Sequence, residues 1–282
     1  MIEELLPATV VAVETHGDET VGGGDGAGGP GIGGPEIGGL GAGGPGAGGL
    51  GAGGLEGGGL GTGGLGAGGL GGATLYPEEQ ALVTRAVPKR VREFTLVRAC
   101  ARRAMEKLGV PPQPVLPGER GAPQWPAGLV GSMTHCEGYC AAALVRATDL
   151  ASIGIDAEPH QPLPEGVLDS VALSTEREHL RVLAEGGPGA HGIPVHWDRL
   201  LFSAKESVYK AWFPLTGKWL DFSEADIAFT AVPGAHPYGT FRARLLVPGP
   251  VVDGHELGYF DGRWTVRRGL LGTAVSVPHQ PA

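Results

Sequence analysis

A run of glycine interrupts this chain of 282 residues near its N-terminus. Between Gly22 and Gly72 stand 31 of the chain's 53 glycines, and residues 38–70 repeat the unit GAGGL imperfectly. Glycine loses more conformational freedom on ordering than any other residue, and one leucine or proline in five residues buries little surface in return. Glycine at every third position, which a collagen helix requires, is missing. The tract is therefore expected to be a disordered, flexible insertion over 22–72 that activity can do without. A formal G-x-G-x-x-G at Gly24, Gly26 and Gly29 follows the strand-like VVAVE of residues 10–14. No amphipathic helix follows to receive a pyrophosphate, so it does not mark a nucleotide site.

The remainder has an ordinary globular composition and room for one large domain or two small ones. A formal net charge of −9 argues against general nucleic-acid binding, which needs a net basic face. No apolar run is long enough to span a membrane, and MIEELLPATV has acids where a signal peptide has bases. Cys100, Cys136 and Cys140 form no disulfide framework, as expected in a reducing cytoplasm. His135, Cys136 and Cys140 are close in sequence but lack a fourth matched ligand for zinc.

After the tract, PEEQALVTRAV and PKRVREFTLVRACARRAMEKLG read as two helices, each opened by a proline. Val91, Phe94, Val97, Ala101, Met105 and Leu108 form the core face of the second. That helix also carries Lys89, Arg90, Arg92, Arg98, Arg102, Arg103 and Lys107, which is either an anion-binding surface or a solvated face. GLVGSMTHCEGYCAAALV reads as two strands around a polar turn holding Ser132, Thr134 and His135. FSEADIAFTAV, GTFRARLLV and RWTVRRGLLGTAVSV alternate and supply further strands. Glu176, Glu178, His191 and His196 fall in loop- or surface-like stretches and are assigned no role.

Two segments carry charge where burial is expected. In SIGIDAEPH, alternation puts Ile153, Ile155 and Ala157 on one face of a strand, with Gly154, Asp156 and Glu158 on the other. Two carboxylates side by side repel unless a cation or a proton lies between them, and a hard, oxygen-seeking ion suits the pair. In LLFSAKESVYKAWFP, part of a helix with Trp197, Leu201, Ala204, Val208 and Ala211 as its apolar stripe, Glu206 and Lys210 are stacked four apart, with Lys205 one step around. Pro214 is expected to end this helix. A solvated ion pair would look the same.

GSMTHC, GIDAE and FSAKESVYKAW, in that order, resemble the Sfp/EntD-type 4′-phosphopantetheinyl transferases, in the branch with enterobactin synthase component D and actinobacterial relatives. The resemblance implies an α+β fold of two similar α/β halves related by a pseudo-twofold, divided near residue 150 into 1–150 and 151–282. It implies transfer of the phosphopantetheine arm of coenzyme A to a serine of an apo acyl or peptidyl carrier domain, releasing adenosine 3′,5′-bisphosphate. By the same resemblance, Mg²⁺ is held by Asp156, Glu158 and Glu206. Glu206 is the general base, and Lys210 stabilises the leaving group. Lys205 and Lys210 meet the pyrophosphate, while Arg90, Arg98, Thr134 and His135 cradle the nucleotide phosphates. Some relatives have a lysine where Pro117 stands, and Arg120 is the residue that could replace its charge. A monomer acting in the cytoplasm on coenzyme A and carrier proteins is the expectation, with no nucleic-acid or membrane partner. The rival is a non-catalytic scaffold assembled through the glycine tract.

Overall fold

A computed structural model describes residues 1–16, 72–187 and 192–281. The expected disordered insertion, apart from Gly72, lies outside the described residues, as does His191.

The first half runs β1 (Val11–His16), α1 (Pro77–Leu82), α2 (Pro88–Lys107), β2 (Leu129–Cys136) and β3 (Tyr139–Arg146). The second runs β4 (Leu150–Pro159), α3 (Val167–Val171), α4 (Ser174–Glu185), α5 (Trp197–Thr216), β5 (Ala225–Val232), β6 (Tyr238–Leu245), a short hairpin of β7 (Val251–Val252) and β8 (His255–Glu256), β9 (Tyr259–Arg267) and β10 (Leu270–Pro278). All strand pairs are antiparallel, in sheets ordered β1-β3-β2 and β4-β10-β9-β6-β5. In both, the opening strand pairs with the closing strand of a hairpin, and a long helix packs on them. The second half adds β6 and β5 at its far edge. This is the α+β fold of two similar halves.

One buried device repeats in both halves. Glu79, at the third position of α1, accepts from Tyr76 N at 3.0 Å, Val115 N at 2.9 Å and Arg102 Nη1 at 2.8 Å. Glu176, at the third position of α4, accepts from Leu173 N at 2.8 Å and Ile227 N at 2.7 Å, and pairs with Lys205 Nζ at 2.9 Å. Each carboxylate caps a short helix, pins the chain beyond the long helix and pairs with a cation on it. Glu176 is thus buried, not the surface residue its sequence context implied. Partnering explains the burial, because a carboxylate with this many donors is compensated for leaving water.

Three further expectations are corrected. α1 stops at Leu82 rather than reaching Val87. Ser132, Thr134 and His135 lie within β2, and the turn is Glu137–Gly138, where Gly138 takes the positive φ of 72°. Pro214 lies inside α5, which continues to Thr216 and ends at Gly217 in the left-handed conformation. Proline removes one backbone bond near the helix end, and Gly217 N closes the last turn onto Phe213 O at 2.8 Å.

Alternation then sets the layers. Along β3, Ala142 and Leu144 face α2, whereas Tyr139, Ala141, Ala143 and Val145 join Ile153, Ile155 and Ala157 of β4 in a core shared by the halves. Ser152, Gly154 and Asp156 of β4 turn to the opposite side, where α5 packs. The halves also meet along β2 and β4 through side chains. Ser132 Oγ accepts from Ile155 N at 3.0 Å, and Thr134 Oγ1 from Ala157 N at 3.1 Å.

Candidate active site

Gly154 lets α5 lie close against β4. A Cβ there would stand 1.9 Å from Ser207 O and 2.7 Å from Ala211 N, so no larger residue fits. Hydroxyls fasten α5 to this sheet: Ser152 Oγ of β4 donates to Ala211 O at 2.8 Å, and Thr273 Oγ1 of β10 to Ser203 O at 2.9 Å. This closeness brings the polar face of α5 onto Asp156.

Asp156 is buried at the seam between the halves. Its Oδ1 accepts from Lys210 Nζ at 2.7 Å and from Thr134 Oγ1 at 3.3 Å. Its Oδ2 is buried with no hydrogen-bond partner among the described residues. Lys210 Nζ also donates to Ile155 O at 3.2 Å, which leaves one of its three N–H bonds for another acceptor. Burial acts to lower the Lys210 pKa, but Asp156 and Glu206 outweigh it and hold it raised.

Glu158 and Glu206 flank this pair. Burial lifts the Glu158 carboxyl to about 7, with the Asp156 charge adding to the effect and Arg199 opposing it. Burial also lifts Glu206 to about 7, opposed by Lys210 and helped by Asp156. Asp156 therefore acts electrostatically on both other predicted carboxylates. Even so, among the described residues no three acidic, imidazole or thiol groups stand together as a ready-made cation cage. Side-chain cations are engaged instead, Lys210 with Asp156 and Arg199 Nη1 with Glu158 Oε2 at 2.9 Å. The unpartnered Asp156 Oδ2 and the all-oxygen donor set fit a hard divalent ion.

Across the seam, Arg90 Nη1 donates to His135 Nε2 at 2.8 Å. Burial, with the charges of Arg90, Lys210 and Arg98, brings His135 down to about 4, so the imidazole is neutral. Two residues expected beside this pair are used for structure. Arg98 is buried, donates from Nε to Val115 O at 3.1 Å and lies 3.8 Å from Glu79 Oε1, while Arg102 also pairs with Glu79. The basic face of α2 is smaller by these two residues than its composition implied. Thr134, with its hydroxyl between Ala157 N and Asp156, bridges the strands instead of facing a nucleotide.

Lys205 does not join the carboxylates. Its Nζ is surrounded by Phe222 O at 2.6 Å, Ala225 O at 2.6 Å and Glu176 Oε1 at 2.9 Å, so its three donors are taken. It lines a small pocket together with Glu206, Tyr209, Trp219, Leu220 and Phe222. Tyr209 Oη is buried there without a partner among the described residues. Arg120 holds a left-handed backbone, φ 52° and ψ 27°, in the loop bridged by Pro117 and Pro123, and its charge reaches the Tyr209 phenol.

Tyr209, Trp219 and Arg199 were not singled out from the sequence. Arg199 alone carried a signal, since positions 199, 203, 206 and 210 share one helical stripe.

The sequence was compared with known proteins. The 4′-phosphopantetheinyl transferase N-terminal domain matches residues 78–145, and the 4′-phosphopantetheinyl transferase superfamily matches residues 152–245. The chain is 61% identical over 203 residues to 4′-phosphopantetheinyl transferase Svp of Streptomyces mobaraensis, covering 72% of this chain and 78% of Svp. It is 48% identical over 204 residues to 4′-phosphopantetheinyl transferase PptT of Mycobacterium tuberculosis, covering 72% and 86%. Enterobactin synthase component D of Salmonella typhi is more distant, 34% identical over 125 residues that cover 44% and 48%.

Proposed function

Because this chain belongs to the 4′-phosphopantetheinyl transferase superfamily, and so moves the phosphopantetheine arm of coenzyme A onto a serine of a carrier protein domain, we propose that the transfer takes place where α5 meets β4. The observation that carries this placement is the buried, unpartnered Asp156 Oδ2 beside Lys210. Asp156, Glu158 and Glu206 are the residues that would hold Mg²⁺. When bound, that ion would supply positive charge against the diphosphate.

The chain's own groups divide the remaining work. Glu206, near 7, accepts the proton of the carrier serine as its Oγ forms a bond to the β-phosphorus of coenzyme A. The bond from that phosphorus to the bridging oxygen breaks, and adenosine 3′,5′-bisphosphate leaves with the electron pair. Lys210 offers its remaining N–H to the phosphate on which charge builds, an interaction stronger in the transition state than in the ground state. Arg90 and His135 meet the nucleotide phosphates, with Arg98 adding charge from behind. Tyr209 and Trp219 receive the pantetheine arm, whose amides can use the free phenol hydroxyl. Thr134 and Lys205 serve this reading as positioning residues, through Asp156 and through the base of α5.

We also propose the division into residues 1–150 and 151–282, supported by the repeated glutamate device, and a monomer working in the cytoplasm without nucleic-acid or membrane partners. The free thiols of Cys100, Cys136 and Cys140 suit a reducing compartment. No helix among the described residues is long and apolar enough to cross a membrane. Membership of a transferase family leaves the scaffold reading without support. The protein incubated with coenzyme A, Mg²⁺ and a panel of apo carrier proteins should add one phosphopantetheine to a carrier, read by intact mass. No gain on any carrier would overturn the reading.

A further inference from the structure

We infer that Arg199 is a positioning residue for the cation site, holding Glu158 so that its second oxygen is left to join Asp156 and Glu206. Glu158 is the last residue but one of β4, opposite Leu271 of β10, and the chain leaves the sheet just beyond it. Arg199, on the first turn of α5, spans that exit with its whole fork. Nη1 donates to Glu158 Oε2 at 2.9 Å, Nη2 to Pro162 O at 2.9 Å, and Nε to Gln161 O at 3.3 Å. The preceding residue, Asp198, accepts from Leu163 N at 2.8 Å through Oδ2. Residues 158–163 are therefore fastened to α5, the helix that carries Glu206 and Lys210.

Arg199 is 12% exposed and Glu158 19%, so water competes weakly for the contact. A guanidinium is planar and donates in a fixed geometry, so it sets the angle of the carboxylate as well as its location. Arg199 engages Glu158 through Oε2, so Oε1 remains for a metal ion. Outer partners of this kind govern metal affinity by orienting the ligand, and their loss typically weakens binding by about 10- to 100-fold.

The inference rests on the proposed cation site, and one experiment separates the two. Mn²⁺ binding to the full chain with coenzyme A present is followed by electron paramagnetic resonance for wild type, Arg199→Gln, Arg199→Lys and Asp156→Ala. Arg199→Gln should weaken Mn²⁺ by about tenfold while metal-free affinity for coenzyme A changes less than about twofold. Arg199→Lys keeps the charge but loses the fork, and should be weakened as well; it carries the test if circular dichroism finds Arg199→Gln unfolded. Wild-type Mn²⁺ affinity in the folded Arg199 variants, with binding lost in Asp156→Ala, sinks the role of Arg199 and leaves the cation site standing. Undiminished binding by Asp156→Ala sinks the site and the inference together. A large fall in metal-free coenzyme A affinity in the Arg199 variants would make Arg199 a substrate contact and overturn its positioning role.

Discussion

The α-carbon of Gly154 faces the carbonyl of Ser207 so closely that a methyl group added to it would stand 1.9 Å from that oxygen. Two residues further along β4 is Asp156, and on the facing helix Glu206 stands one residue before Ser207 and Lys210 three after it. Gly154→Ala must therefore push α5 away from β4. Overpacking of this kind destabilises by about 1–3 kcal/mol, but the displacement of Lys210 from Asp156 should be felt more strongly in turnover, by about 100-fold. Urea unfolding and carrier modification on the same preparation check this. Activity within threefold of wild type would refute it.

Asp156→Ala and Glu206→Gln are each expected to lower the rate of carrier modification by about three orders of magnitude, with folding retained. Lys210→Met should also slow turnover. It additionally leaves Asp156 buried without its ammonium partner, so it should lower stability in substrate-free protein. Single-turnover rates and thermal melts separate the two effects.

Lys205→Met should act on stability rather than on substrate binding. It strands Glu176, which is fully buried, and breaking such a pair from one side costs about 3–5 kcal/mol. The double variant Lys205→Met with Glu176→Gln should recover part of the loss. Its KM for coenzyme A should stay within about threefold of wild type. A tenfold rise would return Lys205 to the phosphates.

The raised carboxyls of Glu158 and Glu206 set a pH dependence for the metal-free protein. Below the ordinary value of 4.5 both are protonated, folded or unfolded, and burial carries no charge penalty. Between 4.5 and about 7 the unfolded chain releases protons that the folded chain retains, so their contribution to stability is lost as pH rises. Urea midpoints in chelator at pH 5, 6, 7 and 8 should therefore show Glu206→Gln gaining on wild type with increasing pH. A constant difference would contradict the assignment.

Tyr209→Phe removes a buried hydroxyl that has no partner among the described residues. The free protein should be as stable as wild type or more so, by about 1 kcal/mol, because an unsatisfied polar group is unfavourable. KM for coenzyme A should rise severalfold if the hydroxyl meets the arm. Thermal melts with and without coenzyme A test both halves.

Much of this site was legible in residue order. The alternation of SIGIDAEPH does divide Ile153, Ile155 and Ala157 from Gly154, Asp156 and Glu158, because a strand places successive side chains on opposite faces. The apolar stripe of α5 is buried as its spacing implied. The direction of Lys205 was not legible, because a helical position next to Glu206 does not say which way a long side chain runs. Glu176, 29 residues earlier, and the carbonyls of Phe222 and Ala225 draw it into the second half's core. Two of the α2 cations were illegible for the same reason, since Glu79 on another helix pairs with Arg98 and Arg102.

By itself, then, the order of residues determined what local geometry can express: which segments are helix or strand, which faces are apolar, and that two acids share one side of β4. Whether a cation points at substrate or at a buried glutamate was decided by partners distant in the chain. Those partners meet only when each half folds around its long helix, α2 in the first and α5 in the second. Burial makes the choice sharp, because away from water a charged group must take the nearest opposite charge, and only the folded chain fixes which that is.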